Sequence, residues 1–217
     1  MSRRLAPLTL DNLGDLPRPA RTCVAWELDP VAASRAREVG DTSFEKEAWL
    51  SATLLEWGSC GRLVYVDDNP AGFAMYAPPA FVPRSVAFPT SPVSADAVLL
   101  MSLMIEPKYR EIGLARMLIQ AAAKDLTRRN VRALEAFALN VDADPVQEGD
   151  RGDCLLPADM LLAVGFKTVR PHHRFPRLRL ELKNAVSWRE DVEAALERIL
   201  GTVRAPALSS SAHDSNW

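Results

Sequence analysis

The chain has 217 residues and a mass of 23.9 kDa, room for one domain with a modest appendage. Apolar residues make up 48% and charged residues 25%, which excludes a disordered or fibrous protein. A net charge of −2 excludes a general affinity for nucleic acid or anionic membrane, and no apolar run approaches the ~18 residues of a membrane span. The opening MSRRLAPLTL lacks the apolar core of a signal peptide. Cys23, Cys60 and Cys154 are an odd number at wide spacing, neither a disulfide framework nor a zinc pattern, so a reduced, cytoplasmic chain without metal is expected.

In chain order, a short strand is predicted near Arg4–Leu8, followed by a Pro-rich passage around Leu16–Pro19 and the segment CVAWELDP. Helical spacing of Phe44, Ala48, Trp49, Ala52 and Leu55 predicts a helix over Ser43–Trp57. That set forms its inward face, Glu45, Lys46 and Glu56 lie off it, and Ser43 is the N-cap. Two apolar stretches, Arg62–Val66 and Ala71–Ala77, flank Asp-Asp-Asn-Pro and read as a hairpin. Five prolines in the next seventeen residues predict a long irregular loop, a candidate wall for a binding site. Trp26, Trp49, Trp57 and Trp188 read as core or docking anchors.

The continuous apolar run AVLLMSLMI predicts a strand buried on both faces and ending at Pro107. A helix over residues 113–128 follows, with Leu114, Met117, Leu118, Ala121 and Ala122 inward, and then a strand over Val131–Leu139. Strand, helix and strand make one βαβ unit with a right-handed crossover. Beyond a polar insertion over residues 140–153, the pattern predicts a short helix Pro157–Val164 ended by Gly165, and strands Phe166–Val169 and Arg177–Leu182. A last helix opens on the capping box Ser187 to Glu190 and offers a surface for a homodimer. Residues 202–217 lose the apolar period and read as a disordered tail, leaving a single domain over residues 1–201.

The segment from Pro107 into the helix carries the chemistry. A buried strand stops, Arg110-Glu-Ile-Gly113-Leu-Ala115 turns, and a helix begins at once, aiming backbone N–H groups beyond the strand end. The helix N-terminus adds a partial positive charge, and small Gly113 and Ala115 let a ligand approach the backbone. Such a turn suits a phosphate or pyrophosphate, although neither GxxxxGK[ST] nor GxGxxG is present.

Arg110, Gly113 and Ala115, preceded by Ile105-Glu-Pro107-Lys-Tyr109, resemble the [QR]-x-x-G-x-[GA] acetyl-CoA signature of the GCN5-related N-acetyltransferases (GNAT). Leu161–Phe166 resembles that family's YxxxGF helix ending, and several later segments are similar to uncharacterised actinobacterial members. The resemblance implies an α+β fold, with a mixed sheet of six to seven strands, helices on both faces and two central parallel strands splayed apart. It implies acetyl-CoA as cosubstrate and a primary amine of a small molecule or peptide as acceptor. Pyrophosphate would rest on the N–H groups of Arg110, Ile112, Gly113, Leu114 and Ala115, with Glu111 and Arg116 completing the set and pantetheine along Leu103, Met104 and Ile105. The family's tyrosine acid is replaced by Leu161, which opens a second reading: a non-catalytic acyl-CoA-binding or regulatory domain.

Candidate catalytic and acceptor groups follow from position. Glu135 alternates in phase with Ala133, Phe137 and Leu139, so it is either a base in a cleft or a strand carboxylate paired to an arginine such as Arg132. Cys154 is either an acid or acyl relay, or a small buried hydrophobe. Glu27 and Asp29 belong to a substrate-contacting loop by the resemblance, while Asp29-Pro30 is equally a plain helix start. His172 reads first as part of a hairpin turn and second as substrate-facing. Ser102 either lines the cleft or bonds a carbonyl in the core.

Overall fold

The computed structural model describes residues 1–141 and 155–183. Cys154, most of the acidic insertion, and the residues of the expected C-terminal helix and expected tail lie outside the described residues. The chain runs β1 (Arg3–Pro7), α1 (Arg18–Thr22), α2 (Pro30–Val39), α3 (Thr42–Glu56), β2 (Gly61–Val66) and β3 (Asn69–Ala77). Then come β4 (Ala97–Ile105), α4 (Leu114–Arg128), β5 (Ala133–Leu139), β6 (Leu156–Pro157), α5 (Ala158–Ala163), β7 (Lys167–Arg170) and β8 (Arg177–Glu181). They build one mixed sheet in the order β1-β2-β3-β4-β5-β8-β7, with the two-residue β6 added on β5.

The expected βαβ unit is present and its parallel pairing is short. Ala97, Val98 and Leu99 of β4 face Ala133, Leu134 and Glu135 of β5, and there the ladder ends. Beyond it β5 takes β6 as a parallel partner at Ala138 and Leu139, while β4 continues against β3 alone. A register shift between Met75 and Tyr76, opposite Leu100–Ser102, marks a β-bulge where β4 bends away. Past Leu99 the β5 side of β4 has no strand partner among the described residues, which leaves one edge of β4 open.

Helices α4 and α5 cover one face, burying Leu114, Leu118, Ile119, Ala122, Ala123, Leu126 and Leu161. The inward set of α4 is broader than the one expected, with Ile119, Ala123 and Leu126 in it and Met117 and Ala121 only half-buried. The opposite face holds α1 and α3 over Leu63, Tyr65, Phe73 and Met75. Beside them the proline-rich segment folds into two 3-10 turns, and its Val82, Phe88 and Val93 pack with Trp26 and Phe137. The hairpin turn is Asp67-Asp68, both at positive φ (47° and 60°), as a two-residue turn between twisted strands requires.

Two sequence expectations are corrected. The Pro-rich passage near residue 18 forms a short helix, α1, begun by Pro19 in its first turn. Helix α3 begins at Thr42, with Asp41 rather than Ser43 before it, and turns a different face inward. Phe44 is 62% and Leu55 is 87% exposed, whereas Lys46, Leu50 and Thr53 are buried. An apolar count cannot anticipate a buried lysine, because the lysine enters only where a carboxylate meets it.

Candidate functional site

The loop between β4 and α4 is built as its residues suggest. After Ile105, Pro107–Tyr109 make one 3-10 turn, Arg110 is extended, and Glu111 and Gly113 both adopt left-handed backbone (φ 66° and 81°). Gly113 then occupies the N-cap position of α4, without a side chain to satisfy the first-turn N–H groups of Leu114, Ala115 and Arg116. A Cβ built on Gly113 meets nothing within 4 Å, so the space above the helix start is open. Lys108, Arg110 and Arg116 are exposed around it. Open space, an uncapped helix N-terminus and surrounding cations together fit an anionic diphosphate.

On the α1/α3 face of the sheet lies a cavity of about 160 Å³. Its walls are Ser102, Leu103 and Met104 of the splayed β4, Leu155 and Leu156 beside β6, and Phe73 of β3. Pro19, Ala20, Cys23, Trp26 and Glu27 close it from the α1–α2 region, and Lys46 from α3. Ser102 is therefore on the cleft side of its two sequence readings.

Glu27 and Lys46 are the charged pair of this cavity, with side chains 2% and 5% exposed. The Lys46 ammonium donates to Glu27 Oε1 and to the carbonyl of Cys23 at 2.8 Å, and Glu27 Oε2 accepts from the amide of Trp26. Burying one of these charges alone is costly, so each holds the other in place. The Trp26 indole N–H is buried without an acceptor, a donor that the fold itself does not use.

The remaining sequence candidates fall elsewhere. Asp29 caps α2, accepting from the amides of Val31 and Ala32 at 2.9 and 3.0 Å, and is the plain helix start of its two readings. Glu135 lies on the expected face but is fully buried, with its carboxylate held by Arg177 (2.5 Å), Arg179 (3.1 Å) and the amide of Ser94 (3.1 Å). Its partners are these two arginines of β8 rather than Arg132, and it does not line the cavity. His172 Nδ1 accepts from the amides of Arg174 and Phe175, which makes it part of a turn. The proline-rich segment does not line the cavity either; its Phe88 stacks on Trp26 (5.4 Å) and Phe137 (4.4 Å), supporting the wall from behind. Sequence reasoning missed Lys46, whose one local signal was a lysine sharing the helical spacing of Leu50 and Thr53.

A family model described as the acetyltransferase (GNAT) family matches residues 25–147, more than half of the chain. The chain belongs to the GNAT family. The PaiA N-acetyltransferase of Thermoplasma acidophilum in complex with coenzyme A is 12% identical, with a TM-score of 0.52 over 83% of this chain and 99% of that one. An N-acetyltransferase of Staphylococcus aureus Mu50 is 13% identical, with a TM-score of 0.52 over 84% and 99%. YncA of Salmonella typhimurium, a putative acetyltransferase with its cofactor acetyl-CoA, is 13% identical, with a TM-score of 0.52 over 84% and 95%. A search of curated proteins finds no match. The fold is thus the GNAT fold, and the chain is an acyltransferase of that family. Among the described residues of this GNAT domain, no group of three or more His, Cys, Asp or Glu is placed to hold a metal, and no helix is long and apolar enough to cross a membrane.

Proposed function

We propose that this chain is an N-acetyltransferase that uses acetyl-CoA to acetylate a primary amine by direct attack of the amine on the thioester. The observation that carries the reading is one cavity bounded both by the open edge of β4, at Ser102–Met104, and by the α1–α2 segment with Glu27. The diphosphate would rest on the amides of Arg110, Ile112, Gly113, Leu114 and Ala115, flanked by Glu111 and Arg116. Pantetheine would follow Leu103, Met104 and Ile105, which have no strand partner on the β5 side. A backbone amide from that unpaired edge would polarise the thioester carbonyl, worth about 3 kcal/mol in the transition state. Holding amine and thioester together in the cavity supplies most of the remaining rate.

The cavity is mainly apolar, and an engineered cavity of about 150 Å³ admits a benzene ring. The favoured acceptor is therefore an amine on a compact apolar body, bound with its nitrogen toward Glu27. Cys60, buried as a thiol, suits a reducing, cytoplasmic setting.

One observation favours the second reading, an acyl-CoA-binding domain without turnover. Leu161 is fully buried and offers no hydroxyl where the family carries its tyrosine acid. Thiol release from acetyl-CoA with a panel of primary amines (phenethylamine, tyramine, cadaverine and spermidine) separates the two readings, with Arg110→Glu as the control for cofactor binding. Amine-dependent release supports the transferase; tight binding without release supports the binding domain.

A further inference from the structure

We propose that Glu27 and Lys46 work together as the proton relay of the transfer, with Glu27 as base toward the amine and Lys46 as acid toward the departing thiolate. This inference rests on the transferase reading above and replaces the acid missing at Leu161. Cys23, Glu27 and Lys46 are the titratable side chains on the cavity wall among the described residues, and Glu27 and Lys46 already share a hydrogen bond. Both face the space bounded by Ser102–Met104, where the unpaired edge of β4 would carry the thioester. A lysine ammonium has three N–H donors, and two are spent on Glu27 Oε1 and the Cys23 carbonyl, leaving a third for sulfur.

The step balances. The amine nitrogen bonds to the carbonyl carbon of the thioester, and the C–S bond breaks with its electron pair going to sulfur. The proton lost by the nitrogen goes to the Glu27 carboxylate, and a proton from Lys46 Nζ goes to the sulfur, giving free CoA thiol. Glu27 is then a neutral acid and Lys46 a neutral amine. Proton transfer across their shared hydrogen bond restores the ion pair for the next turnover. A buried pair of opposite charge suits this exchange, because both the ionic and the neutral arrangements carry no net charge. The other buried carboxylate facing this side of the sheet, Glu135, is occupied by Arg177 and Arg179.

The test needs no acceptor. If Lys46 faces the sulfur, its ammonium stabilises the thiolate of bound CoA. Binding then releases protons, roughly half a proton per CoA for a one-unit fall when the pH lies midway between the free and bound thiol values. Calorimetry in two buffers of different ionisation enthalpy reads this release, and desulfo-CoA, which lacks the sulfur, is the comparison. The expected result is release with CoA, none with desulfo-CoA, and loss of the difference in Lys46→Met. Equal proton release for the two ligands in the unaltered protein overturns the relay, as does a difference that survives Lys46→Met. If Lys46→Met does not fold, Glu27→Gln/Lys46→Met removes both charges, and the contrast in the unaltered protein decides by itself. Absence of any CoA binding overturns the transferase reading, a failure distinct from that of the relay.

Discussion

A Cβ on Gly72 would stand 2.6 Å from the carbonyl oxygen of Met104 and 2.7 Å from Cδ1 of Ile105. Glycine at this point of β3 lets the last residues of β4 lie close against their one strand partner, just before the turn at Pro107. That contact lies two residues before the 107–113 loop. Gly72→Ala forces backbone to move, since a carbonyl oxygen cannot rotate aside as a side chain can. The expected loss is about 1–3 kcal/mol of stability, read by denaturant unfolding, with weaker CoA binding as the loop shifts.

Gly113 makes the opposite demand. A side chain there meets open space and only the left-handed backbone resists it. Gly113→Val is expected to cost about 1–3 kcal/mol from the strained φ of a β-branched residue. Its larger effect falls on the ligand: calorimetric affinity for CoA drops at least tenfold, because the new side chain fills the space the diphosphate would take. An unchanged affinity would remove the loop from the binding site.

For Glu27 and Lys46 the energetic signature is non-additivity. Lys46→Met alone leaves a buried carboxylate unpaired and is expected to lower stability by about 3–5 kcal/mol. Glu27→Gln/Lys46→Met removes both charges and recovers most of that loss, since an uncharged pair has little desolvation to repay. Urea unfolding of the two single variants and the double variant gives the coupling energy. Additive losses would show that the two side chains do not depend on each other.

Alkaline pH should weaken the fold through two buried acids. Burial pushes the Cys60 thiol from 9.0 up to about 12, and burial first, then the hydrogen bond to Asp15, pushes the Tyr65 hydroxyl from 10.0 up to about 12. Above pH 9 the unfolded chain gives up the Cys60 proton that the folded chain keeps, and above pH 10 the Tyr65 proton as well. This stability is complete below pH 9 and declines toward pH 12. By pH 10 the thiol's share of the loss is on the order of 1 kcal/mol. Unfolding midpoints measured between pH 8 and pH 10.5 should fall less steeply for Cys60→Ala than for the unaltered protein; parallel slopes would count against the thiol.

Sequence reasoning went furthest where its signals are short-range. The apolar run of β4, Pro107 after it, Gly113 at the helix start and the period of α4 lie within some thirty residues, and each constrains the backbone by itself. The loop, the helix and the βαβ unit were therefore legible before any coordinates. Glu135 was legible only as a carboxylate on an apolar face. Its arginine partners come from β8, more than forty residues later, and antiparallel register alone brings them alongside.

The chain thus determined by local chemistry that it would make a GNAT-type strand, turn and helix, with open space and exposed cations at the helix start. Tertiary structure decided which charged groups face the cavity and which are consumed in holding the sheet. Lys46 turned inward and Phe44 outward because Glu27, nineteen residues earlier, meets the lysine across the α1–α3 packing. Desolvation makes that choice: a buried charge is tolerated only beside its opposite, and no periodicity in one helix records what another segment brings to it.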